Sequence, residues 1–218
     1  MYKLAVFDMD GTILDTLEDL KDSVNYALAE CGYPQRTYDE VRRFVGNGIR
    51  KLIERAVPDG VSVSDIDRVH EVFTGYYKVH CADKTKAYDG IKPLLEEFRA
   101  NGIKTAVVSN KADYGVQELC KEYFDGLFDY AVGEREGIRR KPAPDSVNEA
   151  LRVLETDKSE AVYIGDSDVD FETAVNAGLP CISVLWGFRD EEFLRSKGAS
   201  LFVREPSEIL NIVLGKDD

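Results

Sequence analysis

The stretch Leu4-Ala5-Val6-Phe7-Asp8-Met9-Asp10-Gly11-Thr12 runs from four apolar residues straight into two carboxylates. The apolar run has the length and evenness of a buried strand. Residues two apart on an extended chain point to the same side, so Asp8 and Asp10 face one pocket at the strand's end. Like charges this close raise the energy unless a cation or a reacting group uses them. An acidic turn that merely closes a strand is the plain alternative, and the rest of the chain decides between the two.

Working outward, short apolar runs recur at Ile103–Val108, Ala161–Ile164 and Cys181–Leu185, with weaker ones at Tyr130–Val132 and Leu201–Val203. Helical patterns separate them. Ile91, Leu94, Leu95 and Phe98 share a face that ends at Asn101-Gly102; Ala143–Leu154 follows a proline; Asp168–Ala177 stops at Gly178. Alternating strands and helices, with strands apolar throughout, predict an α/β protein with a Rossmann-like parallel-sheet core covered on both faces. Ligands of such sheets bind beyond the carboxyl ends of the strands, where Asp8, Ser109 and Asp166 fall. Residues 15–83 break the alternation. Leu17, Leu20, Val24 and Leu28 make one helical face, Ile49, Leu52, Ile53 and Ala56 another, and Ile66, Val69, Phe73, Tyr76 and Tyr77 a third. The expected organisation is therefore a core of residues 1–14 and 84–218 with an α-helical cap of residues 15–83 inserted after the first strand. With hinges near Asp15 and Ala82–Ala87, such a cap is expected to close over the site.

A formal net charge of −13 argues against a nucleic-acid partner, which needs clustered Lys and Arg. No run of about 18 apolar residues offers a membrane span, and the N-terminus lacks the apolar stretch of a secretory peptide. Cys31, Cys81, Cys120 and Cys181 are far apart and form no CxxC, which disfavours structural zinc and a disulfide framework and suits reduced thiols in a cytoplasm. His70 and His80 leave little material for a histidine-based triad.

Four strand ends carry polar groups. At the first, Mg²⁺ with its preference for hard oxygen ligands would relieve the Asp8–Asp10 repulsion. One carboxylate can attack phosphorus to give an aspartyl-phosphate while the other protonates the leaving alcohol and later activates water. The second, Ser109-Asn110-Lys111, offers a hydroxyl for a phosphoryl oxygen, or simply a capped turn. The third, Arg140-Lys141-Pro142, places a cation before a proline-started helix, where it neutralises charge or faces water. The fourth, Gly165-Asp166-Ser167-Asp168-Val169-Asp170, has more aspartates than helix capping requires.

These segments, in this order and each at a strand end, resemble the haloacid dehalogenase superfamily along the whole chain, helical insertion included. The resemblance implies that Asp8 is the nucleophile and Asp10 the general acid and base. It implies that Ser109, Asn110 and Lys141 bind the phosphoryl group, with Lys141 also stabilising charge. Asp8, Asp10 (through its carbonyl) and Asp166 would bind Mg²⁺, with Asp170 behind them positioning Lys141 or a water on the metal. Members that dehalogenate lack the aspartate at position 10, so Asp10 points to phosphoryl transfer. Asp10 likewise argues against the phosphonate-cleaving relatives, although Lys51 would offer the imine-forming lysine they use.

Within the phosphatases, Phe44-Val45-Gly46-Asn47-Gly48-Ile49 and Trp186-Gly187-Phe188 resemble phosphoglycolate phosphatases. Gly46, Asn47, Gly48 and Arg50 are the expected specificity residues, since arginine forks suit a carboxylate. The expected substrate is a small phosphorylated metabolite, foremost 2-phosphoglycolate, and the expected state a monomer or homodimer. A phosphosugar mutase of the β-phosphoglucomutase type is the runner-up, although Asp15–Lys21 lacks the histidine of that group. A pyrophosphatase or nucleotidase of the same fold stays open, and a non-catalytic binding module is disfavoured.

Overall fold

Leu4–Phe7 form strand β1, and all four side chains are fully buried. A strand with no face toward water needs helices on both sides of its sheet. The computed structural model describes residues 1–216 and divides into two compact units, Met1–Leu14 with Ala87–Asp218, and Asp15–Lys86. Two short strands, β2 (Leu14–Asp15) and β3 (Lys86–Ala87), pair where the chain passes between the units.

The helical unit contains α1 (Leu17–Glu30), α2 (Tyr38–Phe44), α3 (Ile49–Ala56) and α4 (Val63–His80). The apolar faces read from the sequence supply its core: Leu17, Leu20, Val24 and Leu28, then Leu52, Ile53 and Ala56, then Val69, Phe73 and Tyr77. The unit reaches three residues beyond the expected boundary at 83. The cause is Asp19, whose buried carboxylate accepts from Lys84 N at 3.0 Å and from Thr85 N and Oγ1 at 2.8 Å.

The other unit adds α5 (Ile91–Ala100), β4 (Lys104–Ala112), α6 (Asp113–Phe124), β5 (Tyr130–Glu134), α7 (Asp145–Val153), β6 (Ala161–Gly165), α8 (Asp168–Ala177), β7 (Cys181–Val184), α9 (Glu191–Ser196), β8 (Phe202–Val203) and α10 (Pro206–Leu214). Its six-stranded sheet is parallel and ordered β5-β4-β1-β6-β7-β8, so strands lie outward from β1 in both directions. Alternation decides what each β1 side chain meets. Leu4 and Val6 join a core with Val147, Ala150 and Ala174 of α7 and α8. Phe7 turns the other way, with ring centroids 6.3 Å from Phe98 and 6.1 Å from Phe128.

The strand expected to end at Val108 continues to Ala112, but its ladder slips. Val108 pairs with Val132 and Ala112 with Glu134, so Ser109, Asn110 and Lys111 occupy a bulge. Bulges of this kind re-aim side chains at strand ends.

Candidate active site

The carboxyl ends of β1, β4 and β6 meet where the strand order reverses, and the site is built there. Asp8 N donates to Ile164 O at 2.9 Å, which keeps β1 paired one residue past Phe7. The chain then folds tightly: Met9 O accepts from Thr12, Ile13 and Leu14 N at 3.0–3.2 Å. Gly11 sits in this turn at φ +88°, and a Cβ there would lie 2.5 Å from Asp166 Oδ2. Gly187 presses from another side, where a Cβ would lie 2.3 Å from Asp166 Cβ. Both positions need glycine because backbone packs directly against Asp166.

Asp166 accepts from Phe188 N at 2.7 Å and from Thr12 Oγ1 at 3.2 Å. Lys141 reaches the site from the loop after β5, and Asn110 clamps its backbone: Asn110 Oδ1 accepts from Lys141 N at 2.8 Å and Nδ2 donates to Lys141 O at 3.1 Å. The Lys141 ammonium lies 2.7 Å from Asp8 Oδ1, 2.7 Å from Asp170 Oδ1 and 3.1 Å from the Tyr163 hydroxyl. Asp170 is fixed by a capping box at the start of α8, accepting from Ser167 N at 3.0 Å and Ser167 Oγ at 2.6 Å. Ser109 is buried, and its Oγ accepts from Lys111 N at 3.2 Å. Asp10 stands on the β4 side, its Oδ1 2.9 Å from Lys111 Nζ.

Three carboxylates, Asp8, Asp166 and Asp170, are buried with ligand atoms within 4.8 Å of one another. Burial, together with the Asp170 charge, holds Asp166 at about 7 and pushes Asp8 well above the usual carboxylate range; Lys141 opposes both shifts. Burial would lower Lys141, but Asp170 and Asp8 outweigh it and raise it well above an ordinary lysine. One ammonium among three carboxylates leaves an excess of negative charge that a divalent cation matches. The donor set is all oxygen, which suits a hard cation.

The residues expected from the sequence at strand ends, Asp8, Asp10, Ser109, Asn110, Lys141, Asp166 and Asp170, therefore gather at one end of the sheet. The Asp10 carboxylate is not one of the three in the cluster, and the Asp170 carboxylate is. The Asn110 side chain is spent on the Lys141 backbone. Gly46, Asn47, Gly48 and Arg50 belong to the helical unit. There Arg50 pairs with Glu54 at 3.1 Å and with Asp67, and Asn47 Oδ1 accepts from Arg55 at 2.7 Å. Sequence reasoning gave no role to Thr12, Lys111, Tyr163 or the Phe188 amide. Thr12 and Phe188 lay within quoted motifs without a role, and Lys111 left a signal of its own, two residues after Ser109 and so on the same side of an extended chain.

Residues 5–184 match the model of the haloacid dehalogenase-like hydrolase family. The chain belongs to this family and is an enzyme. A phosphoglycolate phosphatase of Aquifex aeolicus is 31% identical over 216 residues, covering 97% of this chain and 96% of its own length. One from Mesorhizobium japonicum is 34% identical over 193 residues, covering 86% and 84%. A crystal structure from Lactobacillus delbrueckii subsp. bulgaricus, provisionally named a phosphoglycolate phosphatase, superposes with a TM-score of 0.94 at 40% identity over 98% of this chain and 99% of its own.

Proposed function

We propose that this hydrolase of the phosphatase class is Mg²⁺-dependent and releases inorganic phosphate from 2-phosphoglycolate through an aspartyl-phosphate on Asp8. The observation that carries the reading is the Asp8–Lys141–Asp170 arrangement beside Asp166. It sets a buried carboxylate against a fixed ammonium at the mouth of a parallel sheet. The phosphoglycolate phosphatases among its relatives support the substrate.

An Asp8 oxygen attacks phosphorus as the bond to the glycolate oxygen breaks, and Asp10 gives that oxygen a proton. Asp10 then takes a proton from the water that attacks the phosphoryl group, releasing phosphate and restoring Asp8. Lys141, held by Asn110, Asp170 and Tyr163, stabilises negative charge on the phosphoryl oxygens. Ser109 Oγ and the backbone of the β4 bulge supply further hydrogen bonds to those oxygens. Asp8 and Asp166 would hold Mg²⁺ together with the Asp10 carbonyl, while Asp170 holds Lys141. When bound, the ion neutralises the crowded carboxylates and the phosphoryl charge. The free thiols of Cys31, Cys81, Cys120 and Cys181 suit a reducing cytoplasm.

Phosphate release over phosphoglycolate, sugar phosphates, nucleotides and pyrophosphate tests the substrate. The highest kcat/KM is expected for phosphoglycolate; conversion of a sugar phosphate to its isomer without phosphate release would mark a mutase instead. EDTA should abolish turnover. Ca²⁺ should inhibit it, because calcium takes more oxygens at longer distances and draws both Asp8 oxygens into coordination. Undiminished activity in EDTA would overturn the metal requirement.

A further inference from the structure

The Lys111 side chain has no part in the mechanism above, yet it is only 5% exposed and its ammonium is 2.9 Å from Asp10 Oδ1. Desolvating an ammonium is costly unless a close carboxylate in good geometry offsets it. The geometry here is fixed from several directions. The β4 bulge turns residues 109–111 out of register, and Ser109 Oγ accepts from Lys111 N at 3.2 Å. The lysine stem lies against the first turn of α6, where a Cβ on Gly115 would be 3.7 Å from Lys111 Cδ and Cε. The Lys111 carbonyl packs against Gly133 of β5, where a Cβ would come within 2.4 Å. The lysine is thus anchored by β4, β5 and α6, and its charged end meets the β1 turn.

The two buried lysines divide the carboxylates between them. Lys141 faces Asp8 and Asp170, while Lys111 faces Asp10. The pair holds the Asp10 carboxylate toward β4, apart from the three-carboxylate cluster. We propose that Lys111 is a positioning residue that holds Asp10 where it hands its proton to the leaving oxygen. The inference rests on Asp10 being the general acid. The proton that moves goes from Asp10 to the oxygen freed as the P–O bond breaks.

The test is leaving-group dependence. A p-nitrophenolate ion leaves without protonation, whereas an alkoxide does not. Values of kcat/KM report steps only as far as P–O cleavage, so slow hydrolysis of the aspartyl-phosphate does not mask the effect. They are measured for 2-phosphoglycolate, ethyl phosphate and p-nitrophenyl phosphate in wild type, Lys111→Met, Lys111→Arg and Asp10→Asn. Because general acids contribute about 10²–10⁴, Lys111→Met should lose at least about 10-fold on both alkyl esters and less than about 3-fold on the aryl ester. Lys111→Arg should recover most of that loss. The comparison is a ratio within one variant, so a reduced folded fraction cancels, and Lys111→Gln replaces the methionine variant if the latter does not fold. Equal loss on all three esters would assign Lys111 a structural role only. Loss on phosphoglycolate alone would make it a carboxylate reader. No loss would leave it without a role, and each of these outcomes overturns the proposal. If Asp10→Asn itself treats alkyl and aryl esters alike, the general-acid reading fails and takes this inference with it. An alkyl-selective loss in Asp10→Asn without one in Lys111→Met overturns the inference alone.

Discussion

Asp8 is crowded by groups that oppose its ionisation and is rescued by one that favours it, Lys141 at 2.7 Å. On the proposed mechanism, Asp8→Asn keeps the shape and removes both the attacking charge and an anionic metal ligand. Turnover should disappear, and beryllium fluoride, which is expected to occupy Asp8 of the wild type as an acyl-phosphate mimic, should fail to bind the variant. Retained activity would remove Asp8 from the nucleophile's position. Burial shifts the thiols in the same sense. The Cys120 and Cys181 thiols are pushed up to about 12, first by desolvation, so almost no thiolate is present near neutrality. Native protein treated with iodoacetamide at pH 8 should therefore remain unmodified at both positions, as read by peptide mass mapping, and become modified at both in denaturant.

At the scale of elements, the glycines separate what the backbone tolerates from what the site needs. Gly133 of β5 faces the β4 bulge, where a Cβ would meet Lys111 O at 2.4 Å and Asp113 Cα at 2.6 Å. Backbone cannot retreat as a side chain can, so Gly133→Ala should destabilise by about 1–3 kcal/mol and lower kcat by displacing Lys111. Gly75 is the contrast: it lies exposed within α4, with nothing within 4 Å of an added Cβ. Gly75→Ala should stabilise by about 0.5–1 kcal/mol in urea titrations and leave kcat unchanged. The same elements mark how far the sequence could be read. Leu4–Phe7, Ala161–Gly165 and α8 up to Gly178 were legible because apolar runs and C-cap glycines are local signals. The strand-end aspartates were legible because each follows a local apolar run, although the Asp10 carboxylate pairs with Lys111 and is not among the three that cluster. The β4 bulge was not, since a slip in register depends on the partner strand and leaves no mark in residues 104–112. Tyr163 looked like any core aromatic of β6; its hydroxyl acquires partners only because Lys141 and Asp170 arrive from distant segments. Residues 84–86 were expected in the core but fall in the helical unit, where Lys84 and Thr85 bond to Asp19, more than 60 positions away.

At the scale of the molecule, a buried acidic cluster in a chain of net charge −13 is expected to make stability depend on pH and, on the proposed function, on the cation. Asp166 has an ordinary value of 3.8 in the unfolded chain and about 7 in the folded one, so between these values the folded state binds the additional proton. Stability therefore falls as pH rises, by up to about 1.4 kcal/mol per pH unit from this group, and levels off once Asp166 is ionised. Asp8, raised in the same sense, adds to the trend. Bound at this cluster, as proposed, Mg²⁺ would compete with these protons, so its apparent affinity should rise with pH through the same range, and a ligand that binds only the folded state stabilises it by mass action. The metal-free protein is thus expected to melt at a lower temperature at pH 8 than at pH 6, while a fixed Mg²⁺ concentration raises Tm more at pH 8. Asp166→Asn removes the titrating group and a ligand at once. In that variant the Tm of the metal-free protein should depend less on pH and the Mg²⁺ increment should shrink at both values. A Mg²⁺ increment larger at pH 6 than at pH 8 in the wild-type protein would mean that the ion does not compete with the Asp166 proton, and would place the cation elsewhere.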